Sequence, residues 1–244
     1  MGNKRNSLIE KVKIIHGDNY ATIEDTKELS TEEMKELVRF LEQTPAYHSL
    51  STLKILVNQI FSREVDEYLV GKGFEMIDEF VTVYKKLEKS KVNHSFTLKN
   101  LHMISENEFA HIWMQSMEGS LNAPSRLTMP EHMKSVAIEL GDSYKDSCIA
   151  VYERDHPIGV IMPHIEPGTV DEGRLFYLGL IPEERSKGKS KNLHKLALSL
   201  LVNDFRAKKY IGGTSKNNAP MIRTFLTNGC EVKDVNRVFL KKSL

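Results

Sequence analysis

The sequence predicts an α/β (α+β) protein in which strands and helices alternate, preceded by a smaller, partial α/β repeat. Three observations predict it. From residue 146 to residue 241, apolar runs of strand length alternate with stretches of helical periodicity. From about Gly188 to Lys208, Leu193, Leu196, Ala197, Leu200, Leu201 and Phe205 form one stripe at helical spacing. Finally, the first part of the chain ends as the whole chain ends. At an offset of 156 residues, Gly73-Phe-Glu-Met-Ile-Asp78 falls on Gly229-Cys-Glu-Val-Lys-Asp234, Lys85-Lys86 on Lys241-Lys242, and Ile55 on Ile211.

Composition narrows the function classes. The 244 residues carry 34 Lys+Arg against 33 Asp+Glu, a net charge of +1, and 40% hydrophobic residues. That length buries a real core. The balanced charge argues against a nucleic-acid partner, which asks for a basic excess or stripe. Only two cysteines occur, Cys148 and Cys230. They form no disulfide framework and no Cys-rich metal site, and they fit a reducing compartment. No apolar run approaches the ~20 residues of a membrane span. The N-terminal Met-Gly-Asn-Lys-Arg-Asn-Ser is polar and misses the myristoylation pattern at Asn6. The expectation is a cytoplasmic protein without metal, membrane or nucleic acid.

The elements follow in order. Ser30-Thr-Glu-Glu33 is a capping box, and it opens a helix with Met34, Leu37, Val38 and Leu41 on one face. The polar stretch Leu87–His94 closes one strand-like run, and Ser95–His102 begins another. The division therefore falls at about 88–95, giving a partial copy over 1–92 and a larger domain over 93–244. Each part ends strand, helix, Gly turn, strand, and the copy lacks the first strands. In the larger domain, 106–117 and 130–140 have helical spacing. Strands at 146–153 and 157–162 flank the turn Arg154-Asp155-His156. A buried strand spans 173–181, and the striped helix follows. A short strand at 209–213, a helix at 219–227 stopped by Asn228-Gly229, and a strand at 231–241 complete the chain.

The segment that carries chemistry is Tyr177-Leu-Gly-Leu-Ile-Pro-Glu-Glu-Arg-Ser-Lys-Gly-Lys-Ser190. A buried strand ends at Pro182, and a loop turns into a long helix. The first N–H groups of a helix have no intrahelical partner and its dipole favours anions, so this is a place for phosphate. Gly188 lets the backbone curl, and Arg185, Lys187 and Lys189 add positive charge. Gly188-Lys189-Ser190 also ends a Walker A loop, but the first glycine of that motif would be Glu183, so the spacing fails.

Arg185-x-x-Gly188-x-Ser190 resembles the coenzyme-A signature of the GNAT N-acetyltransferase superfamily, Arg/Gln-x-x-Gly-x-Gly/Ala, with Ser in the last small position. Thr214–Cys230 resembles the second landmark of that family, an Asn after a strand, then a helix, then Gly-Phe. Element order from Ser95 to Leu244 agrees with it. The resemblance implies a bent mixed sheet flanked by helices, with acetyl-CoA in a V-shaped gap between the 173–181 and 209–213 strands. It implies that Leu178 and Leu180 offer backbone groups to the pantetheine arm, and that an amide near Leu180 polarises the thioester carbonyl. It places the pyrophosphate on amides of Ser186, Lys187, Gly188, Lys189 and Ser190, beside Arg185, and brings Asn218 to the arm. Phe225 stands where a Tyr often protonates the leaving thiolate, and a phenyl ring has no proton to give.

The implied activity is acetyl transfer from acetyl-CoA, as cosubstrate, to an amine in a ternary complex. The alternative is a catalytically silent acyl-CoA-binding sensor or scaffold. The general base stays open among Tyr177, His164 and Glu166. The partner is a small-molecule or protein amine acceptor, with the chain a monomer or homodimer. The offset of 156 lands the phosphate loop on Leu29–Met34, whose Glu32 and Glu33 repel phosphate. The first part is therefore expected not to bind CoA, but to pack against the second, dimerise or narrow the acceptor entrance.

Overall fold

A computed structural model describes residues 8–17, 19–89, 92–122 and 127–242. In chain order its elements are β1 (Lys13–His16), β2 (Tyr20–Glu24), α1 (Thr31–Gln43), α2 (Pro45–His48), β3 (Thr52–Asn58), α3 (Arg63–Gly71), β4 (Glu75–Lys86) and β5 (Thr97–Lys99). There follow α4 (Glu106–Met117), α5 (Met129–Leu140), α6 (Tyr144–Ser147), β6 (Ile149–Glu153), β7 (His156–Ile165) and β8 (Glu172–Leu180). The last are α7 (Lys189–Asn203), β9 (Lys209–Ser215), α8 (Ala219–Thr227) and β10 (Glu231–Lys242).

Two compact units form, Met1–Thr82 with Asp234–Leu244, and Val83–Lys233. This differs from a division at residue 92 into two consecutive segments. Both β4 and β10 pass from one unit into the other. A polar stretch marks a loop, whereas sheet membership is decided by the hydrogen-bonded neighbour, which a single sequence does not display.

In the first unit the strand order is β1-β2-β3-β10. β1 and β2 are antiparallel, β2 and β3 parallel from Tyr20↔Thr52 to Ile23↔Ile55, and β10 antiparallel to β3 from Asn236↔Asn58 to Lys242↔Thr52. The sequence reading has no strands before α1. Two are present, each too short for a periodicity signal. Met34, Leu37, Val38 and Leu41 of α1 pack with Ala21, Ile23, Ile55, Val57 and Phe239. Both bonds of the Ser30–Glu33 capping box are present. Lys11, 2.6 Å away, and the Ser30 backbone N–H hold the Glu33 carboxyl down at about 2. The mouth between β2 and β3 is stitched shut: Thr26 Oγ1 donates to Leu56 O at 2.7 Å and accepts from Asn58 N–H at 3.2 Å.

The echo is structural. α3 and β4 have the same limits as α8 and β10, 156 residues on. Both helices end in the same way: Gly73 (φ 79) and Gly229 (φ 74) are left-handed. The next residue donates back into the helix, Phe74 N–H to Leu69 O at 3.1 Å and Cys230 N–H to Phe225 O at 3.0 Å.

In the second unit the order is β9-β8-β7-β6-β5, antiparallel except for β8 against β9. Alternation sends successive side chains to opposite faces, and a register shift where Val151 pairs with Gly159 but Tyr152 with Pro157 puts Ile158 on the face opposite Val160. Ala150, Tyr152, Val160 and Met162 meet Phe109, Ile112 and Trp113 of α4 and Val136 of α5. Ile149, Val151, Ile158 and Ile161 meet Leu193 and Ala197 of α7. The strand expected from residue 146 begins at Ile149, because α6 is a helical turn closed by Cys148 N–H to Tyr144 O at 2.9 Å. The striped helix stops at Asn203 rather than 208. Phe205 and Ala207 N–H groups fold back onto Leu200 and Leu201 carbonyls through Arg206 at φ 62. Among the described residues no helix is long and apolar enough to cross a membrane.

Candidate functional site

The second unit opens where the parallel pair β8 and β9 comes apart. β8 and β9 pair only at Glu172↔Lys209 and Gly173↔Tyr210. Beyond that they part, while β7 keeps hold of the other edge of β8 as far as Gly159↔Leu180. Ile161 and Pro163, two positions apart on β7, pair with Leu178 and Leu175, three positions apart on β8. The extra residue is a bulge at Phe176–Tyr177, which bends a strand locally. The gap is a cleft of about 590 Å³ walled by the end of β8, the C-terminus of α4 and the loop after it, residues 185–190, and α8. That volume suits a small-molecule ligand.

The loop before α7 is shaped for an anion. Ser186 (φ 60) and Gly188 (φ 75) are both left-handed, which curls the chain. Among the described residues, the backbone N–H groups of Ser186, Lys187, Gly188, Lys189 and Ser190 find no protein acceptor. Ser190 Oγ lies 3.2 Å from Thr224 Oγ1, whose own proton goes to Pro220 O, so Ser190 donates and ties α7 to α8.

The loop's cations are already engaged. Arg185 donates to Leu180 O at 3.0 Å and to Ser116 O at 3.1 Å, linking β8 to the C-terminus of α4. Lys189 meets Glu153 and Glu184, each at 2.5 Å, and Lys187 meets Glu184 at 3.2 Å. These two lysines hold the Glu184 carboxyl below its ordinary value. Two lining cations that sequence reading missed, Lys191 on α7 and Arg223 on α8, have side chains without a partner among the described residues. The attraction for an anion therefore comes from the amides and from these two.

The other expected residues divide. Leu178, Leu180 and Asn218 line the cleft. Asn218 caps α8 through Met221 N–H at 3.2 Å, and its Nδ2 donates to Asn122 Oδ1 at 3.2 Å. Phe225, expected beside the leaving thiolate, does not line the cleft. It is 2% exposed and packed edge-on to His194 and tilted to Tyr210, away from the cleft. The cleft face of α8 is Pro220, Thr224 and Thr227, at helical spacing, and counting back from Gly229 lands one residue off that face.

Tyr177 lines the cleft, but its hydroxyl donates to Ser116 O at 2.8 Å, and burial pushes the phenol up to about 12. Its ring lies where a Cβ on Gly179 would stand, 2.6 Å from that position. His164 and Glu166 are not brought to the cleft. They sit at the paired end of β7 and β8, with His164 opposite Arg174. There Arg174 binds Glu166 at 3.2 Å and Glu172 at 2.8 Å, and Lys209 reaches Glu172 at 3.4 Å. His164 Nε2 is 3.7 Å from Glu166. The acidic residues of this region are thus consumed by ion pairs. Sequence reading also missed Asn122, Ser116 and Gly119; only the turn-forming composition of 119–122 hints at a loop there.

No protein-family model matches the chain, and no curated protein does. Solved structures do. A GCN5-related N-acetyltransferase from Sphaerobacter thermophilus superposes with a TM-score of 0.62 at 13% identity, over 95% of this chain and 76% of that one. A tandem GNAT protein from the clavulanic acid biosynthesis pathway gives 0.55 at 12%, over 96% and 78%. A GCN5-related N-acetyltransferase from Kribbella flavida gives 0.53 at 11%, over 98% and 93%. At these identities the likeness is one of fold.

Proposed function

We propose that this chain, which has the fold of the GNAT N-acetyltransferases, transfers an acetyl group from acetyl-CoA to an amine within a ternary complex. The observation that carries the reading is the row of five unpaired amides at the start of α7, set on a cleft made by the parting of β8 and β9. A pyrophosphate fits such a row because fixed N–H dipoles neutralise it without desolvating a side-chain charge. The pantetheine arm is an extended amide chain, and it fits between two strands whose facing backbone groups do not pair.

The chemistry asks little of the protein. The amine nitrogen bonds to the thioester carbon, the C–S bond breaks, the nitrogen loses a proton and the thiolate gains one. Orientation and a backbone N–H aimed at the carbonyl oxygen at the end of β8 supply the acceleration. Tyr177, at about 12, is a poor base near neutral pH. His164 and Glu166 lie with the ion pairs. The proton therefore leaves to solvent, and the reaction is expected to speed up as the acceptor amine deprotonates. Balanced charge and two free, buried cysteines support a reducing, cytoplasmic setting. The acceptor is a small-molecule or protein amine.

A second reading, a silent acyl-CoA binder, is favoured by one observation: Tyr177, the one expected proton-carrying side chain that lines the cleft, has its hydroxyl committed to Ser116 O. Release of free thiol from acetyl-CoA separates the two. Amine-dependent release across a panel of primary amines supports transfer. Binding of acetyl-CoA without release for any amine supports the silent binder.

A further inference from the structure

The end of α4 and the loop after it cross the cleft. At one end, Ser116 O accepts from the Tyr177 hydroxyl at 2.8 Å and from Arg185 Nη2 at 3.1 Å, and Arg185 Nε donates to Leu180 O at 3.0 Å. That end is fastened to β8. At the other end, Asn122 Oδ1 accepts from Thr214 Oγ1 at 2.9 Å, Ser215 N–H at 3.3 Å and Asn218 Nδ2 at 3.2 Å. That end is fastened to β9, where Thr214 and Ser215 are both buried, and to the N-cap of α8. β8 and β9 pair only at Glu172↔Lys209 and Gly173↔Tyr210. A segment bonded to both strands beyond that point therefore spans the gap between them. Ser116, Gly119, Ser120, Leu121 and Asn122 all line the cleft.

The span is braced within itself. Ser120 N–H donates to Met117 O at 3.1 Å, and Asn122 N–H to Ser120 Oγ at 3.2 Å. The anchor at β9 asks for an oxygen. Ser215 N–H can only donate, and Asn218 presents Nδ2 because its Oδ1 accepts from Met221 N–H at 3.2 Å. Only an oxygen on residue 122 takes both.

We propose that residues 116–122 form a strap across the cleft, and that Tyr177, Arg185 and Asn122 are positioning residues that hold it over the arm of bound coenzyme A. The inference rests on the coenzyme-A reading above, in which the phosphates rest on the amides before α7 and only the arm passes between β8 and β9. A strap fixed at both ends adds a third wall and costs no loop ordering when the arm enters. Two variants at one position test it, by calorimetry with CoA and with adenosine 3′-phosphate 5′-diphosphate, which has the phosphates and no arm. Asn122→Ala frees the β9 end. It is expected to weaken CoA about tenfold and to leave the nucleotide within about twofold. Asn122→Asp keeps an oxygen for all three donors, and both ligands are expected to bind within about twofold of wild type. Unchanged CoA affinity in Asn122→Ala, or equal weakening of both ligands, overturns the proposal. So does an Asn122→Asp variant as weak toward CoA as Asn122→Ala, because residue 122 would then act through its amide nitrogen on the ligand and not through the strap. Should Asn122→Ala not fold, Tyr177→Phe loosens the β8 end while keeping the ring. It is expected to weaken CoA about threefold with the nucleotide unchanged, and wild-type CoA affinity there overturns the proposal as well. A wild-type chain that binds neither ligand overturns the coenzyme-A reading, and the strap's role with it.

Discussion

Arg185 offers a charge to an anion in the sequence and spends it in the structure on two carbonyls, Leu180 O and Ser116 O. Gly188 is what the sequence reading takes it to be, a left-handed residue at the start of a helix. A Cβ there meets nothing within 4 Å, so Gly188→Glu leaves the fold standing with a strain of roughly 1–2 kcal/mol. Its carboxylate among the five amides is expected to abolish acetyl-CoA binding, and unchanged affinity in calorimetry would remove the loop from the account. Phe225→Tyr is expected to bury a hydroxyl between His194 and Tyr210. It should lower stability by about 1–3 kcal/mol and leave turnover alone, whereas faster turnover would show that the ring reaches the reacting atoms. His194 is 0% exposed, and burial holds its imidazole down to about 3. The unfolded chain takes up that proton below about 6.5 and the folded chain does not, so stability is lost as pH falls from about 6.5 toward 3. A loss of about 1 kcal/mol between pH 6.5 and 5.5 follows. His194→Phe should flatten that slope in thermal melts, and an identical slope in the variant would mean another group is responsible.

The same supersecondary unit does two things in one chain. In the second unit, two paired positions between β8 and β9 leave a cleft; in the first, β2 and β3 stay paired over four, and Thr26 closes the end. The helix that follows is likewise opposite in character. α7 begins with free amides, whereas α1 begins with Ser30 and Glu33 bonding each other's N–H groups. The expected stoichiometry is therefore one acetyl-CoA per chain, and a titration ending at two would mean that the first unit opens. β10 supplies the first unit with seven registered pairs against β3 and with Phe239, 1% exposed. Phe239→Ala is expected to cost about 3–5 kcal/mol in chemical denaturation. A midpoint equal to wild type would mean that β10 is not part of that core.

Across the molecule, periodicity is legible where an element is long and one face is buried. The helices at 106–117 and 219–227 and the striped face of α7 are read from the sequence alone. Features that depend on spatial neighbours are not. β1 and β2 are too short to show a pattern, and the passage of β4 and β10 between units depends on which edge accepts them. The curled loop before α7 is legible because glycine, small residues and a helix start carry it locally. Asn122, Lys191 and Arg223 enter the cleft only through packing, and His164 and Glu166 leave it through an ion-pair cluster that sequence order hides. Titration of acetyl-CoA into the purified chain, with CoA and ATP in parallel, tests the central claim most directly. Acetyl-CoA and CoA are expected to bind near micromolar, about −8 kcal/mol, one per chain, with ATP silent. No heat from acetyl-CoA, or equal binding of ATP, would contradict it.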